Sequence, residues 1–156
     1  MPKPLIKNND LIKVLDENIE LLKKIDSSIN FKVNNKTGKK VLINFDNEQF
    51  NRLFFNLIKN SIESIKEKVK KTSKSLKNID IEINQRRDYI TINIIDTGEG
   101  FKDKKTKDII KPYYTTKQKG TGLGLSIVDK IINDHNGSIK FLNTNNGAKV
   151  QIIIPK

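Results

Sequence analysis

The sequence predicts an α+β fold: a two-layer α/β sandwich in which a mixed, largely antiparallel sheet is covered by three helices. Two observations carry that expectation. Apolar residues alternate between helical and strand periods, in the order helix, two strands, helix, two strands, helix, two strands. Before the last helix, Thr97 to Lys119 shows no sustained period. So long an irregular stretch in a compact domain is usually functional, here a lid. A chain of 156 residues fits one domain with a real core.

Residues 1–9, with Pro2, Pro4 and polar neighbours, read as a linker, and residues 10–156 as the folded domain. Asp10 is a candidate N-cap. Leu11, Val14, Leu15, Leu22 and Ile25 then recur at helical spacing, with Ile19 near the same face. Ile29 to Val33 alternates as a strand, and Val41 to Phe45 is expected to return beside it as a hairpin across Thr37-Gly38. Asp46 caps the second helix, with Gln49 completing a capping-box pattern; that helix runs to about Val69 or Lys71. Strands follow at Ile79 to Asn84 and Tyr89 to Ile95, turning at Arg86-Arg87-Asp88. The last helix starts near Thr121 or Gly122 and ends near Asn136-Gly137, where the glycine suits a C-terminal cap. Ser138 to Leu142 and Ala148 to Ile154 close the chain as a hairpin.

Composition narrows the function. The absence of Cys excludes disulfides and thiolate metal sites. No apolar run reaches the roughly 18–20 residues that span a bilayer, and the N-terminus lacks a signal-peptide core. A soluble, cytoplasmic domain is expected. The net charge of +12 comes from lysines spread over the whole chain, with no aromatic residues interleaved as stacking platforms. It therefore predicts solubility and no nucleic-acid partner.

Three elements carry chemistry. On the second helix, at about 100° per residue, Arg52, Asn56, Asn60, Glu63 and Glu67 share one face, while Phe54, Ile58, Ile62, Ile65 and Val69 share the other. The Asn60 carbonyl oxygen suits a hard cation such as Mg²⁺. Alone, the asparagine pair fits a solvated helix face better. Asp96 ends a strand, accepts hydrogen bonds only, and can take one from an exocyclic amine such as that of adenine. Gly98 and Gly100 let the backbone approach a flat ring; alone, this segment equally fits an ordinary strand-end turn. Gly120, Gly122 and Gly124 free the backbone at a helix start, where N–H groups cradle phosphates, with Lys117 and Lys119 adding charge. The loop is neither a dinucleotide fingerprint nor a Walker A loop, since no Lys-Ser/Thr follows its last glycine. His135, the single histidine, reads as a surface or capping residue.

At these residues the chain closely resembles the ATP-binding catalytic domain of sensor histidine kinases, part of the wider superfamily of gyrase, heat-shock chaperone, histidine kinase and MutL ATPases with the Bergerat-type fold. Asn56 to Ser64 resembles the N box, Asp96 to Gly100 the G1 box, Ile110-Lys111-Pro112-Tyr113 the F box, and Gly120 to Leu125 the G2 box. Glu63, the run Lys111 to Lys117 and Asp134-His135-Asn136-Gly137 are similar to NtrY-like nitrogen-regulation kinases. The resemblance implies that Asn60 coordinates Mg²⁺ and that Asp96 recognises the adenine of ATP. It also implies that Gly98, Gly100, Gly120, Gly122 and Gly124 shape pocket and lid, and that Lys117 approaches the phosphates. Asn56, Tyr113, Thr116, Thr121 and Leu123 complete the implied nucleotide contacts, and Glu63 is the implied catalytic residue, orienting an acceptor imidazole. Ile110 and Tyr113 depart from the usual phenylalanines of the F box.

No acceptor-histidine motif is present, so the resemblance places the acceptor on a separate dimerisation domain, with an NtrC-type response regulator downstream. Residues 1–9 are then the connector from that domain, and a membrane is reached only through other parts of a parent kinase. Gyrase- and MutL-type ATPases resemble this pattern but carry a water-activating Glu one turn before the metal-binding Asn. Asn56 stands there, which favours phosphotransfer over hydrolysis. A stand-alone ATPase and an anti-sigma-type serine kinase are the alternatives.

Overall fold

A computed structural model of the chain describes residues 2–36, 38, 40–101 and 124–156. Among them, in chain order, are β1 (Lys7–Asp10), α1 (Leu11–Ile25), β2 (Asn30–Asn35), β3 (Leu42–Phe45), α2 (Asn47–Lys71), β4 (Asn78–Gln85), β5 (Tyr89–Asp96), α3 (Gly124–Asp134), β6 (Ser138–Asn143) and β7 (Ala148–Pro155). Five strands form one sheet in the order β2-β4-β5-β7-β6. Only the β2–β4 pair is parallel. The three helices cover one face, and the core lies between the layers.

Local patterning accounts for this layering. Ile79, Ile81 and Ile83 of β4, Ile90, Ile92 and Ile94 of β5, and Val150, Ile152 and Ile154 of β7 alternate inward and are buried. They meet Leu53, Phe54, Leu57, Ile58, Ile62 and Ile65 of α2, together with Val128, Ile131 and Ile132 of α3. At the end of α1 the expected apolar stripe runs out, because Ile25 is 63% exposed.

Two connections differ from the sequence expectation. The hairpin between Ile29–Val33 and Val41–Phe45 does not form. β2 instead lies parallel to β4, Asn30 opposite Asn78, and β3 pairs antiparallel with β1, Lys7 opposite Phe45. Hydrogen bonds around Asp10 favour this arrangement. Its carboxylate accepts from Val41 N at 3.2 Å and from Ile12 N at 3.1 Å, while Leu11 N donates to Val41 O at 2.9 Å. One residue therefore caps α1 and holds the start of β3. Residues 7–9, read from sequence as part of a linker, thereby belong to a strand.

Asp46 caps α2, accepting from Gln49 N at 3.0 Å. The capping box stays half-made, because Gln49 turns its amide nitrogen to Pro2 O at 3.4 Å. His135 takes the vacant role: its Nε2 accepts from Asp46 N at 3.0 Å, and its Nδ1 donates to Ile131 O at 2.7 Å. The ring stacks on Phe50, with centroids 4.7 Å apart, and is buried. Of the two expectations for this histidine, surface or cap, the structure shows a cap, and a buried one that ties the start of α2 to the end of α3. At that end Asn136, not the glycine, adopts the left-handed conformation (φ 58°). The N–H groups of Asn136 and Gly137 bond Asn133 O and Ile132 O in a Schellman cap. Gly137 is required for another reason: a Cβ there would lie 2.6 Å from Ile153 O.

Candidate functional site

The site is built where β5 ends beside α2. The apolar face of α2 is fixed on the sheet, which leaves Asn56, Asn60, Glu63 and Ser64 half-buried on its other side. Lys59 and Glu63 make an exposed ion pair at 3.9 Å. The first residue of α3 abuts this stripe: a Cβ on Gly124 would sit 3.6 Å from Asn56 Oδ1.

Asp96 is the last residue of β5, paired with Ile79 on one side and Ala148 on the other. Only 5% of its surface is exposed. Burial pushes its carboxyl above the ordinary range, opposed by hydrogen bonds from the Gly98 N–H, the Ser61 hydroxyl and the Ala148 N–H, and by the positive charge of Lys68. The Gly98 bond measures 2.8 Å. A carboxylate offers about four lone-pair sites. Three donors therefore leave it oriented, with capacity for one more.

The loop after Asp96 runs hard against α2. A Cβ on Gly98 would fall 2.7 Å from Ser64 Cβ and 2.9 Å from the Ser64 backbone carbon, so no side chain fits there. Gly100 has φ +81°, a conformation that favours glycine. Glu99 N donates to Ser64 Oγ at 2.8 Å, and Glu99 pairs with Lys71 at 2.6 Å. On the far side the β6–β7 turn closes in. Gly147 lies so near that a Cβ would be 2.8 Å from Gly98 N. Asn143 Oδ1 accepts from Phe101 N at 2.7 Å, and the Phe101 ring meets Phe141 edge-on at 5.4 Å.

Of the sequence-predicted residues, the structure brings Asn56, Asn60, Glu63, Asp96, Gly98, Gly100 and Gly124 to one end of the sandwich. Tyr113, Thr116, Lys117, Gly120, Thr121, Gly122 and Leu123, and the expected lid from residue 102 onward, lie outside the described residues. Sequence reasoning missed Ser61, Ser64, Lys68 and Ala148. Ser64 and Lys68 had a visible signal, since they continue the polar stripe of Asn56 and Asn60. Chemically, the arrangement offers an oriented buried acceptor on a loop packed tightly against α2, and the amide groups of Asn56 and Asn60 one helical turn apart on the half-buried side of that helix.

Comparisons with known proteins show the family and the fold. Residues 45–156 match the HATPase_c family of histidine kinase-, DNA gyrase B- and HSP90-like ATPases. The nitrogen regulation protein NtrY of Azorhizobium caulinodans is 30% identical over 140 residues, covering 90% of this chain and 18% of that protein. Sporulation kinase C of Bacillus subtilis is 33% identical over 152 residues, covering 96% of this chain and 34% of its own length. The chain thus spans about a fifth to a third of these two relatives. Among solved structures, the catalytic domain of histidine kinase ThkA superposes with a TM-score of 0.82 at 26% identity, covering 97% of this chain and 95% of that one.

Proposed function

The chain belongs to the HATPase_c family of histidine kinase-, DNA gyrase B- and HSP90-like ATPases, and from that premise we propose that it is the ATP-binding catalytic domain of a two-component sensor histidine kinase. It binds ATP and passes the γ-phosphate to a histidine on a separate dimerisation domain, for relay to a response regulator of the NtrC type. The observation that carries the reading is Asp96: a buried carboxylate, oriented by three donors, with one acceptor position left for the adenine amine. The names of the similar proteins point the same way. A place on the cytoplasmic side of a membrane-bound parent, joined through the residues ahead of β1, fits the NtrY relationship. Among the described residues no helix is long and apolar enough to cross a membrane.

The residues have distinct tasks in this reading. Asp96 selects adenine, and Gly98 and Gly100 let the backbone lie against the purine. Asn60 fits a Mg²⁺ ligand, because its neutral carbonyl oxygen is a hard donor and magnesium keeps several waters. Bound there, the ion supplies charge neutralisation on the phosphates. Asn56 borders the start of α3, where backbone N–H groups and the helix dipole favour phosphate. Gly120, Thr121, Gly122, Leu123 and Gly124 form the phosphate loop, while Tyr113, Thr116 and Lys117 belong to the lid. Glu63 orients the acceptor imidazole. Catalysis is then chiefly positioning and charge stabilisation, and Asn56 provides no base to activate water.

The test supplies Mg-ATP labelled at the γ-phosphate and a separate histidine-bearing dimerisation domain. Acid-labile, base-stable label on that domain supports the reading. Acid-stable label would indicate a serine kinase, and rapid hydrolysis without transfer a stand-alone ATPase; either result overturns it.

A further inference from the structure

We propose that Ser64, Lys68 and Lys71 act together as a clamp on α2 that positions the adenine-recognising carboxylate, making them positioning residues for nucleotide binding. The proposal rests on the assignment of Asp96 to adenine. The three residues stand at i, i+4 and i+7, on one side of the helix. Each reaches a different part of the loop and turn that hold Asp96. Ser64 Oγ accepts the Glu99 N–H at 2.8 Å and lies against Gly98. Lys68 Nζ donates to Asn146 O at 2.8 Å, in the β6–β7 turn. Lys71 Nζ holds the Glu99 carboxylate at 2.6 Å.

These contacts converge on the donors of Asp96. Gly98 N–H comes from the loop that Ser64 and Lys71 hold. Ala148 N–H follows directly on the turn that Lys68 holds, and Gly147 presses that turn on the backbone of Asp96 and Gly98. Loop and turn are separate in sequence, and α2 fixes both at once. All three hydrogen bonds that aim the carboxylate therefore depend on the helix: Ser61 donates from α2 itself, and the other two come from backbone that α2 holds. The contributions are unequal. The Lys71 side chain is 61% exposed, so its pair with Glu99 is the weakest of the three. Ser64, half-buried against the loop, is the strongest.

The test measures displacement of a fluorescent ATP analogue by ATP and by tripolyphosphate, alongside the thermal midpoint of each variant. Ser64→Ala should weaken ATP about three- to tenfold, the range expected for a lost neutral hydrogen bond. Lys68→Met should weaken it about threefold, with Lys68→Arg retaining most of the affinity. Tripolyphosphate, which lacks the purine, should displace the analogue equally well from every variant once its own affinity is compared. Equal loss for tripolyphosphate would show that Lys68 merely attracts phosphate and would overturn the clamp. So would wild-type ATP affinity in both Ser64→Ala and Lys68→Met. Asp96→Asn is the control: if it leaves ATP binding intact, the adenine assignment itself fails; if it alone abolishes binding, only the clamp fails.

Discussion

Asp96→Asn should separate binding from stability, lowering the first and leaving the second nearly unchanged. The native carboxylate accepts from Gly98, Ser61 and Ala148 and keeps one position for an incoming amine. An asparagine has a single carbonyl oxygen, and its NH₂ must face either a protein donor or the adenine amine. A hydrogen bond to a charged group contributes about 1.5–3 kcal/mol, so ATP affinity should fall at least about tenfold and up to ~100-fold. Stability behaves differently. The Asp96 carboxyl lies above its ordinary range because burial penalises its charge. A group with a raised folded-state pKa contributes stability below its unfolded pKa and loses it as pH rises through the folded value. At neutral pH, ionised Asp96 therefore works against the fold, and asparagine removes that penalty while mismatching one donor. The two effects oppose, and urea unfolding at pH 7 should differ by no more than about 1 kcal/mol. Calorimetric titration with ATP reads the other half. A variant that loses several kcal/mol of stability, or one that binds ATP like the wild type, would refute the reasoning.

Four further outcomes follow from the same contacts. In the wild-type chain, ATP affinity should begin to fall at a pH above the ordinary aspartate range, as Asp96 protonates, and Asp96→Asn should remove that dependence; titrations between pH 4 and 8 check both. His135→Leu leaves the Asp46 N–H without its acceptor, a cost of about 1–3 kcal/mol. The thermal midpoint should drop about 2–12 °C at this chain length, while ATP affinity at low temperature stays within about twofold, as scanning calorimetry and cold titration would show. Gly98→Ala drives a Cβ into Ser64. It should cost about 1–3 kcal/mol in an unfolding titration and weaken ATP at least about tenfold, since only a displaced loop accommodates it. Asn60→Ala should abolish the gain in ATP affinity that Mg²⁺ gives over EDTA and leave metal-free ADP binding nearly unchanged; binding curves with and without the metal decide it.

Much of this was legible because it is local. The inward alternation of β4, β5 and β7 and the apolar face of α2 are periodic signals within single elements, and the structure follows them. Strand partners are not local. β2 and β3 had the length and spacing of a hairpin, yet Asp10 draws Val41 to the start of α1, and β4 offers β2 an edge 48 residues away, at Asn78. Nothing within residues 29–45 encodes either preference. His135 was read as a surface or capping residue with no partner named, for the same reason: its acceptor nitrogen serves Asp46, 89 residues earlier. A capping box written into Asp46 and Gln49 gave no hint that a distant imidazole would take half of it.

The site divides along the same line, and α2 explains why. Its apolar residues fix the rotation of the helix on the sheet, so every polar position has a fixed direction. From Asn56 to Lys71 is 15 residues, about 22 Å of rigid helix. The first part of that stripe was readable only beside the two glycine segments, because an asparagine pair alone fits a solvated helix face in a chain with 19 asparagines. In the second part, Ser64 and Lys68 continue the stripe, but lysine is abundant along the chain, and the partners of Ser64, Lys68 and Lys71 are the Glu99 N–H, the Asn146 carbonyl and the Glu99 carboxylate, in a loop and a turn far off in sequence. A side chain that binds a ligand advertises itself by its type. A side chain that holds a backbone in place for another residue does so by position alone, and position exists only once the sheet has brought Asp96, Glu99 and Asn146 to the same end of the helix.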